Sequence, residues 1–118
     1  MNITELLEFT DRAQLRQWML RNHLSAKEVW VATFRKTLRG DGPQLPYLEV
    51  VEEALCIGWI DSTLKRLPDG RLAQRLSPRR KNSHWTELNK MRCQDLIARG
   101  LMTESGLKSL PNLKRSDY

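Results

Sequence analysis

Two cysteines, Cys56 and Cys93, are too few for a disulfide framework, and both stand in helical patterns without CxxC spacing. A stapled scaffold and a zinc site are therefore disfavoured, and both residues are expected to be buried thiols. The two histidines, His23 and His84, are not at metal-ligand spacing with any Cys or carboxylate. No apolar run approaches the roughly 18 residues of a membrane span. No glycine-rich phosphate loop is present, and neither Ser62 nor Ser77 has a GxSxG-type setting. The start, MNITELLEFTDRAQL, has early acidic residues and no basic segment leading into an apolar block, so no secretory signal is read and a cytoplasmic location is expected. Repeats, low-complexity tracts and linkers are missing too.

What is there bounds the protein class. At 118 residues the chain is expected to be one domain, able to bury roughly two thirds of its unfolded surface without a metal or disulfide. A hydrophobic content of 40% with four Trp argues against disorder. The formal net charge of +6 draws anions: nucleic acid, phosphorylated metabolites or an acidic partner. Charge alone does not choose among them.

Periodicity assigns the elements. DRAQLRQWMLRN, residues 11–22, places Leu15, Trp18 and Met19 on one helical face, with Asp11 or Thr10 as N-cap. KEVWVATFRK alternates β-branched and aromatic residues with apolar groups on both faces, the pattern of a central strand. TLRGDGPQLP reads as a loop with scope to move. In YLEVVEEALCIGW, Leu48, Val51, Leu55 and Trp59 predict one face of a helix near 47–60, with Glu49, Glu52 and Glu53 in its N-terminal half. TLKRLPDGRLAQRLSP predicts a hairpin about Pro-Asp-Gly, Pro68 pointing to an edge or a longer loop. Ser83 is expected to cap a helix over 84–99 that Gly100 stops, and Thr103 to cap a short last helix ending before Pro111. The tail after Pro111 is expected to fray. The fold class is thus α+β: a small antiparallel sheet of about three strands packed against three to four helices.

One stretch stands out. RLSPRRKNSHWTELNKMR, residues 75–92, packs six cations around a tryptophan. At about 100° per residue, Trp85, Asn89, Arg92 and Leu96 fall on one helical stripe, so an amide and a guanidinium share a face expected to be apolar. A guanidinium facing inward needs partners. Asp61 and Glu52 are the candidates, to accept from Arg92 or Arg75. The plainer reading is a structural Arg–Asp pair; the sharper one is a pocket in which Arg75, Arg79 and Arg92 converge on an anion with Trp59 or Trp85 as wall. Arg79, Arg80 and Lys81, just before the expected Ser83 cap, place cations at a helix N-terminus; the plainer alternative is a solvated basic turn.

Catalytic signals are sparse. Cys56 in ALCIGWID has core-like neighbours that raise a thiol pKa, and a tertiary Cys56–His84 dyad stays only as an alternative. Asp61 is the one carboxylate to watch as an acid or base. Nucleic-acid binding through the basic stretch is a further alternative, although the tryptophans occupy apolar stripes and not exposed platforms. Nothing calls for a cofactor or a metal.

Taken in order, RQWMLRNH, KEVWVATFRK, EALCIGWIDS, RLSPRRKNSHWTELN and LIARGLMTESG resemble the YdeI/OmpD-associated family, also called bacteriocin-protection proteins, over about residues 9–107. The motif positions fall on Trp59, Asp61, Arg75, Pro78, Arg79, Ser83, Trp85 and Asn89. The resemblance implies a link to an outer-membrane porin and to tolerance of antimicrobial agents in some members. It brings no catalytic set. A periplasmic location, often given for that family, conflicts with the missing signal.

The expectation is a non-enzymatic binding domain for a small anionic ligand, bearing phosphate or carboxylate. Arg75, Arg79 and Arg92 would bind charge, Asn89 and Ser83 would hydrogen-bond, Asp61 would orient an arginine, and Trp59 and Trp85 would form walls. Nucleic acid and a protein partner are the rival ligands; an enzyme using Asp61 or Cys56 is the rival activity.

Overall fold

The computed structural model describes residues 5–80 and 83–111. Lys81 and the tail from 112 onward, both named above, lie outside the described residues. The chain runs β1 (Leu6–Leu7), α1 (Arg12–Asn22), β2 (Val29–Phe34), β3 (Leu45–Pro46), α2 (Tyr47–Ile57), β4 (Trp59–Arg66), β5 (Leu72–Pro78), α3 (Glu87–Ala98) and α4 (Glu104–Ser109).

The expected antiparallel triad forms, β2 pairing with β5 and β5 with β4. Two short strands extend it in parallel: β1 lies along β2 at Trp30 and Val31, and β3 along its end at Thr33 and Phe34. The result is a single α+β domain with a mixed five-stranded sheet. Two-residue strands carry too little alternation to be read from sequence. β2 is central, with Val29 through Thr33 all buried, and β4 is an edge. Thr33 adds a side-chain bond to the Leu45 carbonyl at 2.8 Å, tying the incoming β3.

Helix α2 is enclosed on nearly all sides, its residues Val50 through Ile57 being buried. Val50, Ala54 and Ile57 join Leu15, Met19, Val31, Trp59 and Leu76 in the main core between α1, α2 and the sheet. Val51, Leu55 and Cys56 pack instead with Cys93 and Leu96 of α3 in a second cluster. A helix with neighbours on two sides needs two apolar stripes, and YLEVVEEALCI supplies them.

Three expected boundaries need correction. α2 ends at Ile57, because Gly58 (φ 85°) turns the chain out of the helix. Its backbone N–H bonds back to Leu55. A Cβ at that position would lie 3.0 Å from the Ser105 carbonyl oxygen, so glycine is required on both counts. Trp59 and Asp61 therefore start strand β4 instead of ending a helix, and Leu48, assigned to the buried stripe, is exposed. α3 begins at Glu87 with Thr86 as its N-cap, accepting from the Asn89 N–H; Ser83 caps nothing. The other caps stand as read: Asp11 accepts from Gln14, Thr103 from Gly106, and Gly100 (φ 72°) closes α3.

The loop after β2 is fastened from two sides. Gln44 accepts from the Arg39 N–H at 3.0 Å and donates to the Arg39 and Gly42 carbonyls. The buried Arg71 donates to the Pro43 carbonyl at 2.8 Å while pairing with Glu8 and Asp69. One guanidinium so joins the N-terminal strand, the loop and the hairpin turn.

Candidate functional site

The residues singled out from sequence fall into two groups. Asp61 lies in β4 two residues after Trp59, where strand alternation directs both toward the helices. It accepts the Tyr47 phenol at 3.1 Å. Tyr47 opens α2, and the Arg35 guanidinium lies over its ring, 4.7 Å from the centroid. Burial first, then the Asp61 charge and hydrogen bond, raise the Tyr47 pKa; the charges of Arg35 and Arg92 oppose that rise. Arg92 itself donates to Asn89 Oδ1 at 3.0 Å, one helical turn away.

Arg79 leaves the end of β5 and folds over Trp85, its guanidinium carbon 3.9 Å from the ring centroid. Its Nη1 donates to Ser83 Oγ (3.1 Å) and to the His84 carbonyl (3.2 Å). Nε and Nη2 are buried and have no hydrogen-bond partner among the described residues. Burial pushes its pKa down, against the nearby Cys93 and Asp61. Asp61, Arg79, Ser83, Trp85, Asn89 and Arg92 thus gather around the β4–β5 end and the start of α3.

Among the described residues Arg75 bonds to none of them, although it lines a cavity that Ser83 also lines. It points to the other side of β5 from Leu76, pairs with Glu28, and donates to Ser62 Oγ at 2.9 Å. Trp59, 2% exposed, belongs to the main core and lines neither of the two cavities described below. Glu52, expected as a partner of Arg92 or Arg75, pairs with Arg12 and Arg99. Its neighbour Glu53 takes Arg12 and Arg16. Packing of α1 and of the end of α3 against α2 decides these partners, which periodicity within a single helix does not reveal.

The thiols are buried and free, as read from the sequence. Burial raises the Cys56 pKa and pushes that of Cys93 up to about 11. Neither offers a thiolate at neutral pH. His84 is exposed, and no hydrogen bond joins it to Cys56 among the described residues. Among the described residues no three His, Cys, Asp or Glu side chains group to hold a metal, and no helix is long and apolar enough to cross a membrane.

Among the described residues, two surface cavities bear on the candidate site. One, of about 690 Å³, is lined by Ile60, Ser62, Arg75, Ser77, Pro78, Arg80 and Ser83. The other, of about 480 Å³, lies where the loop after β2 meets the start of α2 and the β4–β5 hairpin. Its charged lining is Arg35, Lys36, Arg39 and Arg66, with no carboxylate. Phe34, Tyr47, Leu48 and Leu72 supply carbon surface. Among the described residues none of these four cations is in an ion pair, whereas Arg12, Arg16, Arg71, Arg75 and Arg99 all are. Sequence reasoning passed over the second cavity. Its signal was FRKTLRG, three cations ahead of a Gly/Pro loop, but Arg66 is brought to them only by the hairpin.

A family model described as a domain of unknown function, DUF8412, matches residues 7–109. The chain belongs to the DUF8412 family. The match runs from β1 through α4, so both cavities of this DUF8412 domain lie within it. No curated protein and no solved structure matches the chain.

Proposed function

We propose that this DUF8412 domain is a non-enzymatic binding module for a small anionic ligand, and that its site is the cavity of Arg35, Lys36, Arg39 and Arg66. The observation that carries the reading is four cations around one concavity with no carboxylate in its lining and, among the described residues, no ion pair of their own. Like charges held together repel, and a bound oxyanion relieves that repulsion while arginine forks grip it in two-point hydrogen bonds. Gln44 and Arg71 fasten the loop that presents Arg39, which lowers the ordering cost of binding. Asp61, expected to orient an arginine, accepts instead from the phenol of Tyr47, a wall of the cavity. Arg79 and Arg92 add positive field behind that wall. Kinship with the YdeI/OmpD-associated proteins remains part of the proposal, supported by the motif residues alone.

Nucleic-acid binding through residues 75–92 is weaker support for the basic charge. Arg75 is engaged by Glu28, Arg79 is stacked on Trp85, and Lys90 pairs with Glu87. A backbone-tracking surface needs those cations free.

Thermal unfolding with inorganic pyrophosphate tests the reading, with chloride at matched ionic strength as control. Pyrophosphate is expected to raise the wild-type Tm, by linkage to the folded state, and to lose most of that effect in Arg39→Ala/Arg66→Ala. An equal rise in the double variant would sink the proposal.

A further inference from the structure

The walls of the 480 Å³ cavity divide into two chemistries. Arg35, Lys36 and Arg39 come from one loop and Arg66 from the end of β4, and together they form a cationic side. Phe34, Leu48 and Leu72, with the Tyr47 ring already covered by Arg35, form a carbon side. Gly70 (φ 93°) adds bare backbone at the hairpin turn.

A pocket for a phosphate ion alone has no use for the carbon side, which would only strip the ion of water. A pocket for an apolar acid with one charge would leave most of the four cations uncompensated. Both sides are satisfied by a ligand with several negative charges at one end and a flat, carbon-rich body at the other. We infer that the cavity takes a nucleoside di- or triphosphate, its phosphates among Arg35, Lys36, Arg39 and Arg66 and its base against Phe34, Leu48 and Leu72. This rests on the anion-binding reading above.

Size agrees: small-molecule sites commonly span roughly 300–1,000 Å³, and this one holds about 480 Å³. A strand of nucleic acid fits less well. Strand-binding surfaces carry a line of cations with ring faces open for successive bases. Here the cations converge on one cavity, and Phe34 and Tyr47 are half-buried.

Isothermal titration calorimetry of the full chain with ADP, inorganic pyrophosphate, adenosine and a single-stranded oligothymidylate tests the inference. ADP is expected to bind about tenfold more tightly than pyrophosphate, a gain of roughly 1.4 kcal/mol from the nucleoside. Phe34→Leu is expected to weaken ADP and leave pyrophosphate unchanged. Arg66→Ala, at an exposed strand end, is expected to weaken both. Pyrophosphate binding as tightly as ADP would overturn the nucleotide and leave the anion reading standing. Heat from neither, or affinities unmoved by Arg66→Ala, would overturn both. Oligothymidylate binding more tightly than ADP would replace a nucleotide pocket with a strand-binding surface.

Discussion

The Tyr47 hydroxyl donates to Asp61 Oδ2 at 3.1 Å, joining the first residue of α2 to the third of β4. Tyr47 lines the 480 Å³ cavity, and the charge of its partner Asp61 also acts on Arg79, which stacks on Trp85. Its raised pKa has a pH consequence. A phenol that ionises at higher pH in the folded protein than in the unfolded chain contributes stability fully present below the unfolded value, 10.0, and lost as pH rises through the folded one. Tyr47→Phe should cost about 1 kcal/mol at pH 7 and less above pH 10. Urea titrations at pH 7 and above 10 check this; a cost that does not shrink with pH would show that Tyr47 ionises normally. Cys93 also titrates there but is common to both proteins, so the difference isolates Tyr47.

Arg79 carries two buried nitrogens, Nε and Nη2, without partners among the described residues. An unsatisfied buried donor is a cost that an apolar replacement removes. Arg79→Met is expected to leave stability within about 1 kcal/mol of wild type or to raise it, the lost stacking on Trp85 being offset. Denaturant midpoints decide it: destabilisation beyond about 2 kcal/mol would mean that the guanidinium is fully satisfied.

Glu53 is 3% exposed and accepts from Arg12 at 2.6 Å and Arg16 at 3.1 Å. Glu53→Gln removes the charge that holds two arginines of α1 to α2. Breaking such a pair on the buried side costs roughly 3–5 kcal/mol, and because both arginines keep some solvent the expected loss is nearer about 2–3 kcal/mol. Chemical denaturation of the single variant, beside Arg12→Ala/Glu53→Gln, measures it; a loss under about 0.5 kcal/mol would show that the contact carries no stability.

Gly106 in α4 sits so close to α2 that an added Cβ would lie 2.2 Å from the Cys56 carbonyl oxygen. That same carbonyl accepts the Thr103 hydroxyl at 2.6 Å. Gly106→Ala should therefore cost about 2–3 kcal/mol and loosen α4, seen as faster amide exchange over Glu104–Ser109. Gly100→Ala, at φ 72° with open space around it, should cost only about 1 kcal/mol. Equal costs for the two would remove the close-packing account.

The fold was legible where the signal was local. Asp11, Thr103 and Gly100 cap through side-chain or backbone geometry spanning three or four residues, and the run from Val29 to Phe34 is apolar on both faces because both faces are covered. Thr86 against Ser83 as the α3 cap was a choice between two acceptors three residues apart, which composition does not settle. Trp59 continues a helical period with Leu48, Val51 and Leu55 in the sequence, yet Gly58 in a left-handed conformation overrides that period.

The site follows the same division. By itself the sequence determined the α+β class, the central strand, the hairpin and the excess of positive charge, because these follow from periodicity, turn chemistry and counting. Only the tertiary structure decided which cations are neutralised and which are not. Glu28, Glu52 and Glu53 lie 37 to 47 residues from their arginines along the chain. Arg66 meets Arg35 and Arg39 only because β4 turns back beside the loop after β2. Charge pairing depends on distance in space, and sequence spacing carries that distance only within a helix turn or across a tight hairpin.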